Sequence, residues 1–268
     1  MINVNLMRRL VRRSRFFLLI CALSLALFEM LVCAAVSTLN VQAVGAQILA
    51  TLPPMMQAVV GQQMLAMFTP TGLIAFGWNH PISIAIGAAV ALATASRAVA
   101  GEVESGAIEL LLAQPMARGS YIATQLFFGF AALAFVAAGG LAGSLAGQLV
   151  WGLPLFKPAA ALALGAGFWL VNAACFGFAF MLSAFGREAG RVAGVAFIAV
   201  LASYLLQAVG RFWSRAAFLL RWSIFERYTP RTLLATGRVP TDALLVLGGI
   251  VVVSVAIAWL EFARRDLP

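Results

Sequence analysis

An all-α, polytopic membrane protein with six transmembrane helices follows from three properties of the 268 residues. Apolar residues make up 63% and charged residues 10%. Soluble domains carry about 25% charged residues, so this chain cannot coat a water-facing surface. Its apolar stretches are long and unbroken rather than alternating, which excludes a lipid-facing β-barrel. Most cations sit at the ends of those stretches, where they anchor to headgroups. Inside lipid each backbone polar group must find a partner within its own segment, and continuous apolar runs meet that demand as helices.

A span needs roughly 20 apolar residues. Residues 16–36, 82–100, 120–147, 159–185, 192–209 and 243–262 qualify. No soluble domain fits between them, so residues 1–268 form a single transmembrane domain. Ahead of the first span, Ile2, Leu6, Leu10 and Val11 fall on one side of a helical wheel. Arg8, Arg9, Arg12, Arg13 and Arg15 lie mostly elsewhere around it, which predicts an N-terminal amphipathic surface helix. The apolar run that follows exceeds the core of a signal peptide, about 7–15 residues. Val32 before Cys33 also makes a poor lipidation site, so a retained span is expected.

Arginine and lysine in the short connections set the orientation. Five arginines precede the first span and none lies in 37–79. Arg97 and Arg118 flank the next connection, and Lys157 alone marks the one after. Arg187 and Arg191 mark the fourth, and Arg264 and Arg265 close the chain. Both termini are therefore expected in the cytoplasm. The connection 211–238 disagrees, placing six arginines among Trp213, Phe218, Trp222 and Phe225 on the outer side. It is expected to dip into the interface or to fold back as a re-entrant hairpin.

Between the second and third spans, residues 101–118 predict a short cytoplasmic coupling helix that begins near Gly101 and is stopped by Pro115. Glu102 and Glu104 fall in its first turns, where the helix dipole favours anions. Glu102, Ser105 and Glu109 share one face; Val103, Ala107, Leu110 and Leu111 share another. A helix lying on an anionic leaflet should be basic, whereas this one is acidic. Three carboxylates there make sense if another protein supplies the opposing charge.

The run Gly101, Glu102, Glu104 and Gly106, then Glu109, Leu110, Pro115 and Arg118, resembles the cytoplasmic coupling segment of ABC-2-type permeases. These are the membrane subunits of ATP-binding-cassette exporters. The ending Phe262-Ala263-Arg264-Arg265-Asp266-Leu267 is similar to that of the family. Arg227-Tyr228-Thr229-Pro230, with Leu233 and Gly237, resembles its outer loop before the last span. Ala107 departs from the Thr or Ser usual there. The resemblance implies a transmembrane permease subunit, homodimeric or paired, in the bacterial cytoplasmic (inner) membrane. Two cytoplasmic ABC ATPase subunits would bind it, each seating segment 101–113 in a groove. ATP and Mg are expected on that partner, with no cofactor on this chain.

The one lysine lies outside any Gly-x-x-x-x-Gly-Lys-Ser/Thr loop, so a non-catalytic subunit is expected. The alternative is a mechanotransmission or maturation-complex subunit, relaying ATPase motion to an extracytoplasmic partner without moving a solute. Nucleic acid is not an expected partner.

Four further signals carry weaker expectations. Gly139, Gly143 and Gly147 allow close helix approach, either within the protomer or between protomers, and Gly190 and Gly194 offer a weaker copy. Glu29 lies deep in the first span, as a candidate intramembrane functional residue or as a structural acid bonded to Asn172 or Gln125. Met55, Met56, Met64 and Met67, with His80, could hold a soft metal, although apolar packing is the expected role and no metal site is assigned. Cys21, Cys33 and Cys175 are expected to pack as small apolar groups.

Overall fold

The computed structural model describes residues 2–39, 69–107 and 117–264, with isolated positions at 43, 47, 50 and 51. Among these residues every bounded element is helical, and six helical stretches are long and apolar enough to cross a membrane. The multi-pass helical fold expected from composition is the fold found.

Helix α1 (Val4–Thr38) starts where Asn3 Oδ1 accepts from Leu6 N and runs 35 residues without a break. The amphipathic stretch expected to form a separate surface helix is therefore the first part of α1. The reason is compositional: no glycine or proline interrupts Val4–Thr38. At ~1.5 Å per residue the helix is about 50 Å long, against a ~30 Å hydrocarbon layer. Roughly four turns therefore project beyond the lipid, and the arginines occupy that projecting end.

The second span is broken. Helix α2 (Pro70–Trp78) precedes α3 (Pro81–Ala98), so this crossing begins upstream of the 82–100 stretch expected. Pro81 lacks the N–H needed to continue the helix, and Asn79 and His80 fill the gap. Asn79 N bonds Ala75 O and Phe76 O, while His80 Nδ1 accepts from Ile82 N.

A five-residue helix, α4 (Ala100–Glu104), continues the chain at one end of the bundle. The remaining spans are α5 (Arg118–Val150), α6 (Pro158–Phe185), α7 (Ala189–Phe212) and, after the short α8 (Pro230–Thr236), α9 (Thr241–Arg264). Helix α6 is the axle. Its most apolar window is 72% buried, compared with 22% for α7 and for α9, which leave most of their surface to the surroundings.

Helix α1 lies in a groove of α5 cut by the three glycines. A Cβ on Gly139 would sit 2.9 Å from Ala22 O, and one on Gly143 would sit 2.1 Å from Ala26 O. One on Gly147 would meet Cys33 Cβ at 2.7 Å. Of the two contacts open from sequence, the one within the protomer is formed. A Cβ on Gly190 or Gly194 would meet nothing within 4 Å, so they make no copy of this contact among the described residues. Cys33 and Cys175 are buried, Cys21 is half-buried, and all three are free.

The connection 211–238 folds back on the bundle. Two 3-10 stretches, Ser214–Trp222 and Ile224–Arg227, lead into α8. Ser223 Oγ donates to Ser203 O at 2.7 Å, and Leu233 packs over Gly167 of α6. Phe225 and Tyr228 are fully buried, with Tyr228 edge-on to Phe168 at 6.2 Å. Arg211 pairs with Glu226 and Arg227 with Asp242, which explains how arginines are carried at the end where few were expected.

Candidate coupling site

The chain turns sharply where α3 meets α4, at Val99 (φ −121°, ψ −58°). A buried turn leaves backbone groups without helical partners, and each must be satisfied. Ser183 Oγ of α6 accepts from Val99 N and Ala100 N at 3.2 and 3.0 Å, and donates to Ser96 O. Ala98 O accepts from Tyr121 OH and, at 3.2 Å, from Gln125 Nε2, both on α5. The turn is thus held by side chains from two spans.

Glu102 points inward from α4 and is 2% exposed. Arg9 Nη2 donates to its Oε2 at 3.0 Å and Arg13 Nη1 to its Oε1 at 2.9 Å. Arg9 and Arg13 are one helical turn apart on the projecting end of α1, so a single face presents both guanidinium groups. A buried carboxylate is tolerable only when paired and hydrogen-bonded, and here each oxygen has its own charged donor. The opposing charge expected from a partner protein is, for Glu102, supplied within the chain. Sequence reasoning identified Glu102 but missed Arg9 and Arg13. Their i, i+4 spacing was the available signal, obscured because arginines at a span terminus ordinarily go to headgroups.

Glu104 is exposed, and its Oε2 accepts from Ala189 N at 2.8 Å, capping α7. Its neighbour Glu188 provides no side-chain cap there. The helix expected to run unbroken to Pro115 is interrupted after Glu104, at Ser105 and Gly106; Ala107 is again helical, and 108–116 lie outside the described residues. Gly106 adopts φ +69°, a left-handed conformation that stops helices and favours glycine. The exposed surface of this elbow is Glu104, Ser105 and Gly106.

Gly101 meets Arg97 and Ala189 only at ordinary contact distance. Arg118, at the start of α5, donates to Ala263 O at 3.3 Å, tying α5 to the end of α9. Glu109, Leu110 and Pro115 lie outside the described residues.

Glu29 is fully buried far from this site. It bonds Ser83 of α3 at 3.1 Å and Ser144 of α5 at 3.4 Å. Ser83 also donates to Gly77 O at 2.8 Å, and Trp78 Nε1 donates to Ser144 Oγ at 2.9 Å. The partners expected from sequence do not form. Asn172 Nδ2 donates one turn back to Phe168 O, and Gln125 is engaged at Ala98 beside the turn at Val99. Glu29 braces three spans where the second one breaks.

His80 Nδ1 is occupied as a helix cap and its ring lies against Phe28 and Phe76. The four methionines lie outside the described residues. No group of three His, Cys, Asp or Glu able to hold a metal occurs among the described residues.

A family model described as ABC-2 family transporter protein matches residues 7–267. No curated protein matches the chain at a significant level.

Proposed function

The chain belongs to the ABC-2 transporter family, and from that premise we propose that it is the permease subunit of an ATP-driven exporter, moved by a separate ATPase through segment 101–113. Membership makes it the membrane component of an ABC system, with an ABC ATPase as its associate. The reading goes further on one observation, the bracing of α4. This helix is bonded to α1 through Arg9 and Arg13 and to α7 through Glu104. The turn before it is bonded to α5 through Tyr121 and Gln125 and to α6 through Ser183. A push on the exposed elbow at Glu104, Ser105 and Gly106 would displace four spans together. That is the mechanical requirement on a subunit driven by another protein's closure.

In this reading two protomers pair in the bacterial inner membrane, both termini face the ATPase, and ATP and Mg reside on that partner. This chain has no catalytic role of its own. Purification of the tagged full-length chain in mild detergent tests the assignment. A soluble ATP-binding protein at equal stoichiometry, whose ATPase rate rises in the complex, is the expected result. A chain that purifies alone and stimulates no ATPase would remove the assignment. Vesicles then separate export from force relay: solute accumulation dependent on ATP supports the first, and its absence in an active complex supports the second.

A further inference from the structure

At the end of the bundle opposite α4, a cleft of about 480 Å³ opens between α2 and the chain entering α8. Small-molecule sites typically enclose about 300–1,000 Å³. One wall is apolar, made by Leu73, Phe76 and Pro230; the other carries Arg211 and Arg231. Arg231 is exposed and has no ion-pair partner among the described residues, while Arg211 is engaged through Nε by Glu226 at 3.1 Å. Two cations against one acid leave the cleft a net charge of +1.

Two further lining residues are polar and unsatisfied. Tyr228 is 1% exposed, and its hydroxyl has no hydrogen-bond partner among the described residues. The same holds for the buried Oδ1 of Asn79. Buried polar groups without partners cost free energy, and where they persist a missing partner is the ordinary explanation. Burial pushes the Tyr228 phenol well above its usual range, so it remains a donor. Its ring is fixed by Phe168. Tyr228, Arg211 and Arg231 line the same cleft, a set of donors that suits an anionic oxygen, and the amide acceptor of Asn79 suits a hydroxyl.

We propose that this cleft binds an anionic amphiphile, with its phosphate or carboxylate between Arg231 and Arg211, a neighbouring hydroxyl on Asn79, and its apolar part along Leu73 and Phe76. Two sources share this chemistry: a membrane phospholipid with a hydroxylated head, and a single-chain acidic solute. Binding requires no ATPase, so the site stands or falls independently of the transport role.

Native mass spectrometry of the full chain, titrated with phosphatidylglycerol, phosphatidylcholine and dodecyl phosphate, tests it. Occupancy by phosphatidylglycerol or dodecyl phosphate should exceed that by phosphatidylcholine about tenfold. Arg231→Gln and Tyr228→Phe should each lower it at least about fivefold. Arg238→Gln, an exposed arginine on the same connection but outside the cleft, should leave it unchanged. Displacement of dodecyl phosphate by phosphatidylglycerol identifies the lipid as occupant, and dodecyl phosphate binding without competition identifies a single-chain solute. Equal occupancy by all three amphiphiles, or unaltered binding in the exposed Arg231→Gln variant, overturns the proposal.

Discussion

At the coupling end Glu102 is 2% exposed and both its oxygens are taken by guanidinium groups, whereas at the far end Tyr228 is 1% exposed and its hydroxyl finds no hydrogen-bond partner among the described residues. Both ends bury polar atoms, which is costly unless partners are present. The coupling end supplies every partner from its own sequence, even for the backbone of the turn at Val99. The far end leaves the Tyr228 hydroxyl and Asn79 Oδ1 without a hydrogen bond, and Arg231 without an acid, among the described residues. A closed network makes its elements move together, since displacing one member breaks bonds to the others. An open network leaves interaction energy available to something from outside. The contrast fits a molecule that receives force at one end and recognises a ligand at the other.

The comparison breaks most readily at Glu102. Removing one member of a buried ion pair costs about 3–5 kcal/mol, because the remaining charge is stranded. Arg9 and Arg13 are almost half exposed, so much of their charge is rehydrated; Glu102 is the member with no such escape. Glu102→Lys places a third cation beside two and should lower thermal stability in detergent by the largest margin of any single change here. Combining it with Arg9→Glu and Arg13→Glu restores opposite charges across the contact and should recover most of the loss. Unaltered melting of the Glu102→Lys protein would mean that the coupling end is not closed in the way described.

What joins the two ends is the α1–α5 contact, and glycines set its closeness. Gly143→Leu drives a side chain into backbone, since even a Cβ would lie 2.1 Å from Ala26 O. Overpacking typically costs about 1–3 kcal/mol, and a rigid backbone neighbour puts this site at the upper end. Gly194→Ala makes the paired control: nothing lies within 4 Å, and alanine is favoured over glycine in a helix by up to ~1 kcal/mol. The expected melting temperatures fall for the first and hold or rise for the second. Equal losses would show that α7 is covered at Gly194 by a neighbour, as a tight protomer contact would require.

How much of this was legible in the sequence follows the same divide between local and long-range physics. Span number follows from apolar run length, which is local, and six were found, although the first two begin upstream of the stretches expected. The glycine ladder on α5 announced a close contact, but spacing on one helix carries no information about which helix fills the groove. The acidic residues after Gly101 were conspicuous, yet their roles diverge. Glu102 turns inward to arginines about ninety positions earlier in the chain, and Glu104 caps a helix that starts at Ala189. Gly106 was readable as a helix stop, since glycine is the usual residue just past a helix end. The periodic apolar residues beyond it suggested an unbroken helix, and Ala107 is indeed helical again after the stop. Tyr228 looked like part of a loop rich in arginine and aromatic residues, and only the fold-back onto Phe168 makes it a buried hydroxyl.

The smallest expected effect is at Glu104, and it separates two contributions to the coupling end. Its carboxylate accepts from Ala189 N, and it also places a negative charge at the start of α7, where the helix dipole is positive. Glu104→Gln keeps an acceptor oxygen and removes the charge; at an exposed site this costs about 0.3–1 kcal/mol and diminishes with salt. Glu104→Ala removes both, and loss of an N-terminal cap costs typically ~1 kcal/mol. Stability should therefore fall in the order wild type, Gln, Ala, with the first step shrinking between 50 mM and 500 mM salt, about 14 to 4 Å in screening length. If Gln matches wild type, Ala alone is destabilised and salt has no effect, the hydrogen bond alone holds α4 to α7. If both match wild type in stability yet lose ATPase stimulation, Glu104 acts on the partner, and the elbow's exposed carboxylate belongs to the interface.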